Sequence, residues 1–175
     1  MEFIKYIILL LILISSTIIG KLMGNKYKDR VIELEEIKNS FNIIKTKIKF
    51  TYEPIPEIFE EVSKTLNSNI KEIYKEALKN IGQDNELYSD NVDIAWKKAV
   101  DKSNTNLEEE DKRIIKMMSK LLGQTDVEGQ VGQIEIAEKF LEGQIEDAIA
   151  KRNKNQRLYM RLGTITGLVI SIILY

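Results

Sequence analysis

From Phe3 to Ile19 the chain is apolar apart from Lys5, Tyr6 and the small polar residues Ser15, Ser16 and Thr17. Few folds accommodate such a stretch. At about 1.5 Å of helical rise per residue it has roughly the length needed to cross a bilayer's hydrocarbon core. A cleaved secretory signal is the rival reading. The run is long for a signal core, and no small-x-small cleavage site follows it. The expectation is a retained transmembrane helix over residues 1–20.

The opposite end, LYMRLGTITGLVISIILY from Leu158 to Tyr175, has a similar character. Past Arg161 the remaining residues give about 21 Å of helix, short of a full core. Counted from Leu158 the helix reaches about 27 Å, with Arg161 extending its guanidinium back to the headgroups. A second crossing over 158–175 is expected; the alternative, a hydrophobic helix packed on the soluble body, lacks the polar face such a helix needs. Gly20 with Gly24 and Gly163 with Gly167 each have G-x-x-x-G spacing. That spacing lets helices approach closely in a bilayer, so the two spans either pack together or dimerise.

Basic residues set the orientation. Lys21, Lys26, Lys28 and Arg30 follow the first span, and Lys151, Arg152, Lys154, Arg157 and Arg161 surround the start of the second. The positive-inside bias places residues 21–157 in the cytoplasm with both termini across the membrane. The 151–161 run also reads as a membrane-surface site, for which attraction to anionic lipid suffices.

Between the spans the hydrophobic pattern is helical throughout. Val31, Leu34, Phe41, Ile44 and Ile48 recur on one helical face, with Ile37 and Ile43 alongside, so one helix continues from the first span to about Phe50. Pro54 and Pro56, the only prolines, end it and open the next helix, which buries Phe59, Val62 and Leu66. Pro-x-Pro is also a docking pattern, but two prolines offer little polyproline surface, and a rigid corner is the better reading. Ser68 or Asn69 caps a third helix with Ile70, Ile73, Tyr74, Ala77, Leu78 and Ile81 on its inward side, and Gly82-Gln83-Asp84-Asn85 forms a turn. Val92, Ala95, Trp96, Ala99 and Val100 share one face of a fourth helix. Trp96 is either a partner anchor or core, and its place on an apolar stripe favours core.

Thr105 or Asn106 is expected to cap a helix starting near Leu107, with Glu108, Glu109, Glu110 and Asp111 in its first turn. Four carboxylates suggest a metal site, but neighbours along one turn point in different directions. Leu121 and Leu122 end that helix's stripe, and Gly123 occupies the position that favours a left-handed backbone. Thr125 or Asp126 caps the final helix, and Thr125 with Glu128 has capping-box spacing. Val127, Val131, Ile134, Leu141, Ile145, Ala148 and Ile149 then repeat at heptad-like intervals towards the tail. The first and last helices are expected to lie antiparallel. The fold class is therefore all-α, a cytoplasmic bundle of about six helices between N- and C-terminal transmembrane helices.

Composition narrows the chemistry. There is no cysteine and no histidine, so thiol nucleophiles, imidazole bases and thiolate or imidazole metal sites are excluded. The net charge of −1 gives no general attraction to nucleic acid. No G-x-x-x-x-G-K-[ST] phosphate loop occurs. Neither catalysis, a cofactor, a metal nor a small-molecule substrate is expected.

In order and spacing, these features resemble the stage III sporulation protein AB family over nearly the whole length. The resemblance is carried by the corner Tyr52-Glu53-Pro54-Ile55-Pro56-Glu57, by Trp96, by Leu122-Gly123-Gln124-Thr125-Asp126 with Gln130, and by Tyr159-Met160-Arg161-Leu162-Gly163. Thr125 stands where members often carry serine, which keeps the capping hydroxyl, and Ile58-Phe59 stands where Ala-Leu is common. The resemblance implies a mother-cell membrane component of the channel linking mother cell and forespore, with a cytoplasmic domain similar to that of the F-type platform proteins of type II secretion. It implies docking of a secretion-type ATPase, stage III sporulation protein AA. The corner Gly123, Gln124, Thr125, Asp126 and Gln130 is the candidate docking surface, with helix capping as its plainer role. The alternative function is a membrane-tethered signalling stalk that dimerises through its long helices.

Overall fold

Two helices of 49 and 47 residues dominate the chain. The computed structural model describes residues 2–81 and 88–174, with side chains at 3–81 and 92–174. In order they form α1 (Glu2–Phe50), α2 (Ile55–Thr65), α3 (Ile70–Ile81), α4 (Tyr88–Lys102), α5 (Glu109–Met118), a 3-10 turn (Ser119–Leu121) and α6 (Val127–Ile173). No strand occurs among the described residues, so the all-α expectation and the count of six helices hold. The turn expected at Gly82-Gln83-Asp84-Asn85 lies outside the described residues.

The chain divides into two units, residues 32–146 and residues 1–31 with 147–175. In the first unit most residues the periodicity places inward are buried, while Ile43, Leu78, Ile81, Val127, Val131 and Ile145 are only half-buried. Leu34, Ile37, Phe41 and Ile44 of α1 are fully buried, as are Phe59 and Val62 of α2 and Ile134 and Leu141 of α6. At the centre Trp96 lies against Phe41, Phe59 and Tyr74, with ring centroids 6.5, 5.3 and 4.9 Å away. Its indole N–H donates to the Ile115 carbonyl at 2.9 Å, so the one polar atom it buries is satisfied. Trp96 is core. Tyr74 is also fully buried and donates to Ser40 Oγ at 2.6 Å, and burial pushes its phenol well above the usual range.

Lys38 bonds Glu142 at 2.8 Å and Lys45 bonds Glu138 at 2.5 Å, so α1 and α6 run antiparallel in this unit. The cap expected from Thr105 or Asn106 is supplied elsewhere. Asp111 reaches back to the Glu108 backbone N–H at 2.8 Å, which places the N-cap at Glu108. Asn106 instead gives its backbone N–H (2.7 Å) and side-chain amide (3.2 Å) to the buried Glu33. Of the four-carboxylate run, Asp111 is buried in its capping role while Glu108, Glu109 and Glu110 are exposed. They do not converge.

In the second unit the first part of α1 and the last part of α6 pack antiparallel through small residues. A Cβ added to Gly20 would lie 2.7 Å from Gly163 Cα, and one on Gly24 would lie 2.8 Å from the Gln156 carbonyl oxygen. Ser16 Oγ donates to the Gly163 carbonyl at 2.6 Å, and Ser171 Oγ to the Leu9 carbonyl at 3.4 Å. Tyr27 stacks on Tyr159, and the buried Arg30 bonds Asp147 at 3.4 Å. Gly20 and Gly163 therefore meet within one chain, while Gly24 faces Gln156 and Met160 and Gly167 faces Ser16 and Leu13. Around this seam Ile7, Leu11, Ile14, Leu162, Ile165 and Leu168 are exposed.

Among the described residues one helix, α1, is long and apolar enough to cross a membrane, with a mean hydropathy of 2.3 in its apolar window. Residues 158–173 are helical, but the expected C-terminal span is not shown.

Candidate docking site at two corners

The corner after α5 is built almost wholly from its own polar atoms. Gly123 sits at φ +72°, in the left-handed region where a side chain would be strained. Asp126, and not Thr125, caps α6, accepting the Gly129 backbone N–H at 3.0 Å. Thr125 bonds Asp126 through its hydroxyl at 3.3 Å, and Glu128 stands exposed in the first turn, so the T-x-x-E box does not form. Gln130 ties the corner together. Its carbonyl oxygen accepts the Gly123 N–H at 3.0 Å and its amide donates to the Thr125 carbonyl at 2.9 Å. Gln124 is exposed and donates its backbone N–H to Leu121 at 3.2 Å.

The proline corner is equally constrained. Thr51 satisfies the Lys47 carbonyl twice, by its N–H at 2.8 Å and its hydroxyl at 2.9 Å. The backbone then passes through Tyr52 at φ +54°. A non-glycine residue there costs roughly 1–2 kcal/mol. Glu53 is held away from helix by the following proline. Pro54 precedes α2, and its carbonyl accepts the N–H groups of Glu57 and Ile58 at 3.0 and 3.2 Å. Lys47 bonds Glu53 at 3.0 Å and also pairs with Glu61. The ammonium holds the Glu53 carboxyl below the usual carboxylate range, with help from the Thr51 hydroxyl, while Glu61 and then Glu53 raise Lys47.

These two corners meet, although some 70 residues separate them. Pro54 and Pro56 line one pocket of about 440 Å³ together with Gly123 and Gln130. Its floor is Ile48, Ile55, Val92 and Val127, and Tyr52 and Glu53 complete it. A second pocket, of about 540 Å³, shares Tyr52 and Val127 with the first and adds Phe50, Val131, Glu128 and Glu135. Tyr52 stands between them, 77% exposed, beside Phe50 at 69%. Of the candidate corner residues, Gln124, Thr125 and Asp126 do not line the first pocket. Gly123 and Gln130 do.

The basic residues belong to the other unit. Lys151 bonds Asp147 at 2.9 Å, and Arg152 bonds Asn153 at 3.4 Å. Lys154, Arg157 and Arg161 are exposed and have no ion-pair partner among the described residues. Among those residues no group of three or more acidic side chains is arranged to hold a metal.

The model of the family described as stage III sporulation protein AB matches residues 5–175. The chain belongs to the stage III sporulation protein AB family. The family member from Bacillus subtilis (strain 168), stage III sporulation protein AB, is 21% identical over 165 residues, covering 93% of this chain and 94% of that protein. A solved structure of stage III sporulation protein AB (SpoIIIAB) matches with a TM-score of 0.62 at 16% identity, over 72% of this chain and 98% of its own. The family fold is thus shared. Sequence reasoning missed Tyr52 as the residue dividing the site. Its left-handed backbone leaves no compositional mark, since glycine or asparagine is the usual occupant.

Proposed function

We propose that this chain is a non-enzymatic, membrane-anchored adaptor of the sporulation channel between mother cell and forespore, and that its helical body docks the secretion-type ATPase, stage III sporulation protein AA. The observation that carries the reading is the convergence of two rigid corners on one apolar pocket. Neither corner needs the other to end its own helix, and the pocket between them remains open rather than filled by core. The docking surface comprises Gly123 and Gln130 with Pro54 and Pro56, flanked by Gln124, Thr125 and Asp126.

In this reading residues 1–20 and 158–175 form a transmembrane hairpin around a body at 21–157. The close Gly20–Gly163 approach and the exposed Leu and Ile side chains around it suit a lipid environment. Lys154, Arg157 and Arg161 then lie at the cytoplasmic headgroups, on the mother-cell side. The dimerising stalk would need the α1 and α6 stripes, which the chain already buries in itself.

Two measurements test this. The full chain in lipid nanodiscs should bind the purified ATPase; no binding at tens of micromolar would reject the adaptor. Since native cysteine is absent, a single Lys75→Cys should react only with reagents that reach the cytoplasm. Labelling from outside would reject the topology.

A further inference from the structure

We infer that the two pockets on either side of Tyr52 receive one segment of the docked ATPase, carrying two apolar anchors bracketed by lysine or arginine. This rests on the docking reading above and specifies its chemistry. Each pocket, about 440 and 540 Å³, has the size of a ligand site and an apolar floor. Tyr52 and Val127 belong to both, so one ligand segment crossing Tyr52 would enter the two together.

Tyr52 itself points to a partner. It is held in a strained left-handed backbone, yet its ring is left 77% exposed and contributes little to the core. Strain of this kind needs a benefit elsewhere. Tyrosine is among the residue types enriched at the energetic centre of binding surfaces.

Charge decides between occupants. The two pockets are lined by the carboxylates of Glu53, Glu128 and Glu135, the last two exposed. Against them stand Lys47, already engaged by Glu53 and Glu61, Lys45, engaged by Glu138 and Glu135, and Lys49, which lines the second pocket with its ammonium 5.6 Å from the Phe50 ring centroid. Anionic lipid headgroups and nucleic acid would be repelled. A second copy meeting this face about a two-fold axis would bring the same carboxylates against themselves. A basic segment gains from the net acidic lining, and most from Glu128, which no lysine engages among the described residues.

The test uses the full chain in nanodiscs and purified stage III sporulation protein AA. Tyr52→Gly removes the ring and relieves the backbone, so the unfolding midpoint should not fall while ATPase affinity drops by about 10–30-fold. Glu128→Lys with Glu135→Lys should weaken binding and flatten its salt dependence, and Lys75→Glu, on α3, should change neither. Tyr52→p-benzoylphenylalanine should cross-link to an ATPase segment with lysine or arginine flanking apolar residues. If the ATPase binds Tyr52→Gly as tightly as the natural chain, or the cross-link falls on a second copy, this inference fails while docking stands. If the natural chain does not bind the ATPase, the docking reading falls and takes this inference with it.

Discussion

Alanine in place of glycine should act with opposite sign at two positions on the long helices. At Gly143 an added Cβ meets no heavy atom within 4 Å, so Gly143→Ala gains helix propensity without a clash. The expected stabilisation is about 0.5–1 kcal/mol, or a rise of roughly 1–4 °C in the unfolding midpoint. At Gly20 the same Cβ would lie 2.7 Å from both Gly163 Cα and the Tyr159 carbonyl oxygen. Carbon atoms rest at about 3.5–4.0 Å, so the two helices must part by roughly 1 Å. That movement breaks the 2.6 Å bond from Ser16 to the Gly163 carbonyl, worth about 1 kcal/mol, and forfeits dispersion along the seam. The propensity gain is more than offset, leaving a net loss of about 1–2 kcal/mol. Two assays on the full chain in detergent read the outcome: thermal unfolding, and the rate of disulfide formation between Leu9→Cys and Ser171→Cys. Gly20→Ala should lower both. If Gly20→Ala stabilised as much as Gly143→Ala and left cross-linking unchanged, the helices would not meet at Gly20 and the hairpin would be wrong.

Three further outcomes are expected. Gln130→Leu removes both side-chain bonds across the α5–α6 corner and should cost about 1–2 kcal/mol, with faster hydrogen exchange at the Gly123 amide as the direct readout. Trp96→Ala vacates the centre of the aromatic cluster and strands the Ile115 carbonyl, for a loss of about 3–5 kcal/mol in chemical denaturation. Glu53 has a folded-state value below the ordinary 4.5, so its contribution is present above that value and fades as pH falls through the lower folded one. A carboxyl titration followed by NMR should place Glu53 below the ordinary 4.5, and Lys47→Met should bring its value back up.

What was legible in the chain, and what was not, follows the range of the interaction. Burial imposes its period on local sequence, so the stripe from Val31 to Ile48 and the placement of Trp96 could be read directly. Gly123 was legible because a left-handed turn favours the residue without a Cβ. The same turn at Tyr52 was invisible, since a bulky aromatic there contradicts the preference that makes such turns readable. Thr125 and Asp126 both offered a capping oxygen at workable spacing. The choice between them follows where α6 begins: Asp126 reaches the Gly129 N–H, and the Thr125 carbonyl is taken by Gln130. Glu128 is then left without a cap to return to. Asn106 was misplaced for a related reason, because its partner Glu33 lies 73 positions away and no local pattern announces it. The docking site is the extreme of this trend. Each corner could be recognised singly from proline and glycine chemistry, but a shared pocket requires the end of α1 to meet the start of α6. That register is set by pairs such as Lys45 with Glu138, which look like ordinary solvated charges in the sequence. Local rules thus locate where the chain turns, while the function assigned to those turns depends on which of them end up side by side.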